Sequence, residues 1–154
     1  MEEVIYVGSD HGGFELKKHV IEFLKAKGYS VVDVGPFSYD KDDDYPDYAQ
    51  KLCENVARKG KGILICRSGH GMAVTANKFK GVYASVCWSP DAAARAKRDE
   101  NLNVISLPAD FIGPEDAERT VLAWLDTPFN GEERHMRRLG KVRGIEGQRA
   151  KHQR

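Results

Sequence analysis

The chain has 154 residues, 41% of them hydrophobic and 31% charged, with a formal net charge of +1. That balance is ordinary for a soluble globular protein, and the length suits one domain with a single sizeable core. No stretch approaches the roughly 20 apolar residues that span a bilayer, so no membrane partner is expected. The start, MEEVIYVGSD, runs from two acids straight into a strand pattern, so a secretion signal is not expected there. Cys53, Cys66 and Cys87 are an odd number without CxxC spacing, which points to reduced thiols and a cytoplasmic setting rather than disulfides or a zinc ribbon. The charge is uneven: residues 133–154 hold eight Lys/Arg against two Glu, a net +6, leaving the first 132 residues at −5. A basic end on an acidic body suits nucleic acid, an anionic substrate or a partner subunit. The absence of interleaved aromatics argues against nucleic acid.

Strand and helix patterns alternate along the chain. Residues 4–7 read as a strand, and 14–27 carry helical apolar spacing that stops at Gly28. A second strand over 29–34 and a polar stretch over 38–44 precede a helix at 47–59. A third strand, 62–66, leads to a helix beginning near Met72. Strand 82–86 is followed by helix 91–99, strand 103–107 by helix 114–125, and a last helix follows Gly131. This alternation predicts parallel strands and a Rossmann-like three-layer α/β/α sandwich with a five-stranded parallel sheet. The expected organisation is a single domain over 1–143, including the C-terminal helix, with a basic tail over 144–154 that is disordered or a frayed, solvated helix.

Ligands of such sheets bind beyond the carboxyl ends of the strands. The richest segment there is GILICRSGHGMAVTANK, residues 62–78. It delivers the thiol of Cys66 to a strand end, then makes a glycine-spaced loop, Arg67-Ser68-Gly69-His70-Gly71, that opens a helix. Glycines let backbone approach a ligand, and the first helical N–H groups point at it; a helix N-terminus also favours thiolate over thiol. The first loop, GSDHGG at 8–13, puts Ser-Asp-His where a dinucleotide fold needs glycine, so a nicotinamide cofactor is not expected.

SDHGGFELK at 9–17, DYPDYA at 44–49, ILICRSGHGM with ANK over 63–78, and GEERHMRR at 131–138 together resemble the ribose-5-phosphate isomerase type B and galactose-6-phosphate isomerase family. The resemblance runs from about residue 3 to 143. It implies aldose–ketose interconversion of a sugar phosphate through a cis-enediolate, without metal or nucleotide cofactor. It also implies a homodimer or homotetramer whose active site borrows C-terminal residues from the neighbouring subunit. Position by position, Cys66 matches the base that moves a proton between C1 and C2, and Ser68 a substrate-binding hydroxyl. The amides of 67–71, Gly69 and Gly71 among them, match the enediolate site. Asp10, His11, Tyr45 and Asn101 or Asn103 match substrate contacts, and Arg134, His135 and Arg138 match the phosphate end. The residue types fit the chemistry: abstraction α to a carbonyl needs a nearby base and donors aimed at the oxyanion. Arg134 and Arg138 share a helix face and bind phosphate as forks.

The chain also departs from that family. Asp99 stands where a ring-opening His is expected, and Asp110 where a phosphate-binding Arg is expected. Arg67 replaces a usual Gly, and His70 a small or apolar residue. Either Arg67 supplies the missing cation while Asp99 or His70 opens the ring, or the substrate is a different sugar phosphate. Plainer readings stand beside these: Cys66 as a core residue, Asp10 as a turn acceptor, His11 as a helix cap, Tyr45 and Trp88 as packing aromatics, and the 134–138 charges as a solvated face. A non-catalytic sugar-phosphate-binding module is a further alternative, as is a cysteine hydrolase with Cys66 activated by His70 or His11.

Overall fold

The computed structural model describes residues 3–152, with side chains through residue 148. The strands are β1 (Val4–Ser9), β2 (Ser30–Gly35), β3 (Lys61–Cys66), β4 (Ala84–Val86) and β5 (Val104–Pro108). The helices are α1 (Phe14–Ala26), α2 (Tyr45–Val56), α3 (His70–Ala76), α4 (Pro90–Glu100), α5 (Pro114–Asp126) and α6 (Glu133–His152). All strand neighbours pair in parallel, in the order β2-β1-β3-β5-β4. The five-stranded parallel sheet expected from the alternation is present.

Successive side chains of a strand face opposite ways, so a central strand covered on both sides reads as one apolar run. Ile63 and Ile65 of β3 join Ile5, Val7, Ile105 and Leu107 against apolar residues of α1, α4 and α5. Leu64 and Cys66 turn to the other side, among Leu52, Cys53 and Val56 of α2 and Met72 and Ala76 of α3. The thiol of Cys66 therefore points to the α2/α3 layer.

Local chemistry explains where the elements begin and end. Pro46 near the start of α2 has no amide to satisfy, so the helix opens at Tyr45, earlier than its apolar spacing suggests. Ser89 caps α4 by accepting from Ala92 N at 3.1 Å. β4 begins two residues later than expected, because Val82 N bonds to Phe79 O in a turn and Tyr83 N donates to the Asn103 side chain. Lys17, buried in α1, donates to both oxygens of Asp33 at 2.8 and 2.9 Å and to Pro36 O at 2.6 Å, which fastens α1 to the loop leaving β2. The expected basic tail is helical through His152 as part of α6, and Glu146 accepts from Gly81 N at 2.9 Å; 153 and 154 lie outside the described residues. Among the described residues no helix is long and apolar enough to cross a membrane.

β2 lies on one side of β1, and β3, β5 and β4 on the other. The chain thus changes direction across the sheet between β1 and β3, and the loops leaving their carboxyl ends diverge to leave a crevice.

Candidate active site

Cys66 ends β3 opposite Pro108 of β5 and is only 5% exposed. The chain then turns through Gly69, whose φ of 80° lies in the left-handed region. A Cβ there would stand 3.1 Å from Val86 Cγ1 and 3.2 Å from Ser106 Oγ, so conformation and space both call for glycine. The turn aims Gly69 N–H at Cys66 Sγ, 3.2 Å away, a contact that strengthens as sulfur gains negative charge. Ser106 Oγ fixes the turn by donating to Gly69 O at 2.7 Å. His70 opens α3, its side chain exposed and its amide donating to Ser68 Oγ at 3.3 Å. The Tyr45 ring lies over Gly71, where a Cβ would meet Cζ at 2.6 Å.

The β1 loop rests on the same strand end. Asp10 N donates to Ile65 O at 3.3 Å, and a Cβ on Gly13 would come within 2.5 Å of that oxygen. Asp10 Oδ1 accepts from Gly13 N at 3.2 Å, so the residue does serve as a turn acceptor. Burial pushes its carboxyl above the ordinary range, although the neighbouring His11 pulls the other way. His11 is held from outside its loop: its backbone N and its Nδ1 meet Asp43 Oδ1 at 2.9 and 2.6 Å. That carboxylate bond, more than any other influence, raises the pKa of the imidazole. Arg67 packs its stem against Gly12 and donates from Nε to Asp110 Oδ2 at 3.0 Å, while Asp110 N donates to Arg67 O at 2.9 Å. Both side chains are well exposed, so this pair orients the guanidinium more than it stabilises the fold.

Asp10, His11, Tyr45, Cys66, Arg67, Ser68, Gly69, His70 and Gly71 thus gather on one edge of the sheet. The other sequence candidates lie elsewhere in the chain. Asp99 sits near the carboxyl end of α4, where the chain has returned to the start of β5. It takes Arg98 Nε at 2.9 Å and Arg95 Nε at 3.6 Å, with His135 Nε2 at 3.9 Å. Its hydrogen bond to Arg98 holds its carboxyl below the usual range. Asn101 Oδ1 takes Lys97 Nζ at 2.7 Å. Asn103 bridges Gly81 O and Tyr83 N, a structural duty. Arg134 pairs with Glu132 at 3.0 Å, and Arg138 is exposed one turn further along α6. This second set gathers where α4 ends and β5 begins, toward the amino edge of the sheet, whereas Cys66 closes the carboxyl end of β3.

Nothing in the sequence pattern points to Asp43 or Ser106. Asp43 lies in a polar stretch that carries no pattern, 32 positions from His11. Ser106 is a lone hydroxyl inside a strand. Asp10, His11 and Asp43 are the one group among the described residues whose donor atoms cluster as a metal site would, all within 4.8 Å. With Nδ1 and Oδ1 already in a 2.6 Å hydrogen bond, the group is a hydrogen-bonded His–Asp pair beside a buried acid.

A model of the family described as Ribose/Galactose Isomerase matches residues 5–142. The chain belongs to the ribose/galactose isomerase family. Within it, the chain is 41% identical over 141 residues to the probable ribose-5-phosphate isomerase B of Mycoplasma genitalium, covering 90% of this chain and 92% of the relative. The D-erythrulose-4-phosphate isomerase of Pectobacterium atrosepticum is 38% identical over 132 residues, 82% of this chain and 85% of the relative. The crystal structure of the M. genitalium enzyme with bound ribulose 5-phosphate superposes with a TM-score of 0.92 at 40% identity, covering 96% of this chain and 98% of that one. The chain is thus a ribose/galactose isomerase family member in sequence and fold alike, and an aldose–ketose isomerase by membership.

Proposed function

We infer that this chain interconverts ribose 5-phosphate and ribulose 5-phosphate through a cis-enediolate, using acid–base groups of its own side chains. One observation carries the assignment of roles: the Cys66 sulfur, under the Gly69 amide at 3.2 Å, at the strand end where the Asp10-His11 loop also arrives. Cys66 as thiolate takes the proton from C2, and the electron pair moves through the new C1–C2 double bond onto the C1 oxygen. Amides of the 67–71 loop and the Ser68 hydroxyl stabilise that oxyanion. Cys66 then returns its proton to C1 while the O2 proton passes to O1. Asp10, His11, Tyr45 and Arg67 hold the sugar phosphate, with Arg67 supplying a cation on the side where Asp110 has none.

The remaining candidates complete the pocket from a second copy. Asp99, Asn101, Asn103, Arg134, His135 and Arg138 occupy the opposite edge, so a neighbour presenting its α4/α6 end to the Cys66 edge forms a shared site in a homodimer or homotetramer. Three buried, unpaired thiols suit a reducing compartment such as the cytoplasm. The pairing of Arg67 with Asp110, and a relative that isomerises D-erythrulose 4-phosphate, favour a second reading in which the pocket is re-aimed at another sugar phosphate.

The test is incubation with a panel of aldose and ketose phosphates in deuterated water, followed by proton NMR. Isomerisation of ribose 5-phosphate with deuterium incorporation, reduced at least about a thousandfold in Cys66→Ala, is the expected result. Turnover of another sugar alone selects the second reading. A folded protein that exchanges no substrate proton is a binding module, and the isomerase assignment fails.

A further inference from the structure

The stretch between β2 and α2 has no regular structure, yet it is built against His11. Lys17 anchors its start through Pro36 O. A turn with Asp43 N on Asp40 O at 3.2 Å and Asp42 N on Asp40 Oδ1 at 3.0 Å shapes its end. Between them Tyr39 sets its ring edge-on to both His11 and Phe14, with centroids 6.3 and 6.0 Å away. The result delivers Asp43, whose side chain is 6% exposed. Its Oδ1 serves two donors of His11, and its Oδ2 is buried with no partner. A carboxylate with one orphaned oxygen is costly to bury, and a neutral amide could accept the same two hydrogen bonds. What the amide could not do is attract a proton to the imidazole.

We propose that Asp43 is a positioning residue for catalysis: it fixes His11 with Nδ1 as the inward donor and leaves Nε2 to face the sugar phosphate as a second donor. Nε2 takes no hydrogen bond among the described residues, and the side chain is 28% exposed. The charges facing the ring are Asp43 from the loop, Asp10 beside it and Arg67 from the β3–α3 turn; the two acids favour the imidazolium and Arg67 opposes it. A cationic donor at neutral pH suits an anionic substrate. This rests on the isomerase reading for the identity of the ligand, but not for the state of the ring.

The experiment titrates His11 by its imidazole C–H resonances in wild type and Asp43→Asn, assigned with His11→Gln. The expected result is a midpoint at least tenfold lower in proton affinity in the amide variant. In kinetics with ribose 5-phosphate, KM above pH 7 rises while kcat at pH 6 is kept within about threefold. An unchanged midpoint overturns the proposal. So does wild-type imidazole nitrogen NMR finding bare Nδ1 and protonated Nε2 at high pH, a measurement that needs no variant to fold. A shifted midpoint in a protein that turns over no sugar leaves the hold of Asp43 on the His11 ring intact and refutes the substrate reading instead.

Discussion

Asp10 is 6% exposed, and burial raises its pKa above the ordinary carboxylate value of 3.8. The sign of the linkage follows: a group whose folded pKa is raised favours the fold at low pH and loses that contribution as pH climbs through the folded value. A charge on Asp10 is therefore a cost to the fold, tolerated at a place where a proton-exchanging or substrate-binding carboxylate is useful. Asparagine keeps the acceptor for Gly13 N and removes the charge. Asp10→Asn is expected to melt at or above the wild-type temperature at pH 7.5, with the gap closing toward pH 4, while turnover falls. Thermal unfolding across that range checks it; a variant that loses stability relative to wild type as pH rises would show that the charge of Asp10 supports the fold.

The elements that make the site are short junctions whose tolerance is set by space. Gly13 packs on the backbone oxygen of Ile65, and a Cβ there would lie 2.5 Å from it, against atoms that cannot swing aside. Gly28, ending α1 at φ 91°, has nothing within 4 Å of its would-be Cβ. Gly13→Ala should thus cost about 1–3 kcal/mol from overpacking and also cut kcat by moving the Asp10-His11 loop. Gly28→Ala should cost about 1–2 kcal/mol from its left-handed backbone alone, with kcat untouched. Denaturant unfolding with parallel assays separates the two; equal kinetic effects would sink the distinction. These junctions also mark how much the sequence discloses. The strands, the helices and the Cys66 loop follow from apolar period and glycine spacing, because those features are local. The clamp of Asp43 on His11 joins residues 32 apart through a stretch whose only pattern is acidity, and no local rule places it. Ser106 on Gly69 O depends on the register of β5 against β3, which composition does not state.

For the whole molecule the decisive feature is that one chain splits the candidate residues between opposite edges of its sheet. Cys66 and the β1 loop stand at the carboxyl edge. His135 and Asp99, 3.9 Å apart, belong with α6 to the amino edge, where Glu146 also fastens that helix to Gly81. The M. genitalium relative, which superposes over 98% of its chain, has the same sheet, so a rearrangement of the chain is not the way to unite the two sets. Two copies related by a twofold axis can unite them, each lending its α6 end to the other's thiol. Such an arrangement has a signature in mixed oligomers. Under the proposed roles, Cys66→Ala removes the base and Arg138→Ala weakens the phosphate end, so each alone is impaired at every site. In a mixed dimer, one site carries both lesions and the other carries neither. Random pairing of equal amounts makes half the dimers mixed, so co-expression should recover about a quarter of wild-type activity. Separately purified variants, combined without subunit exchange, should recover nothing. Co-expressed activity no greater than the average of the two variants would put the complete site within one chain and remove the need for a partner.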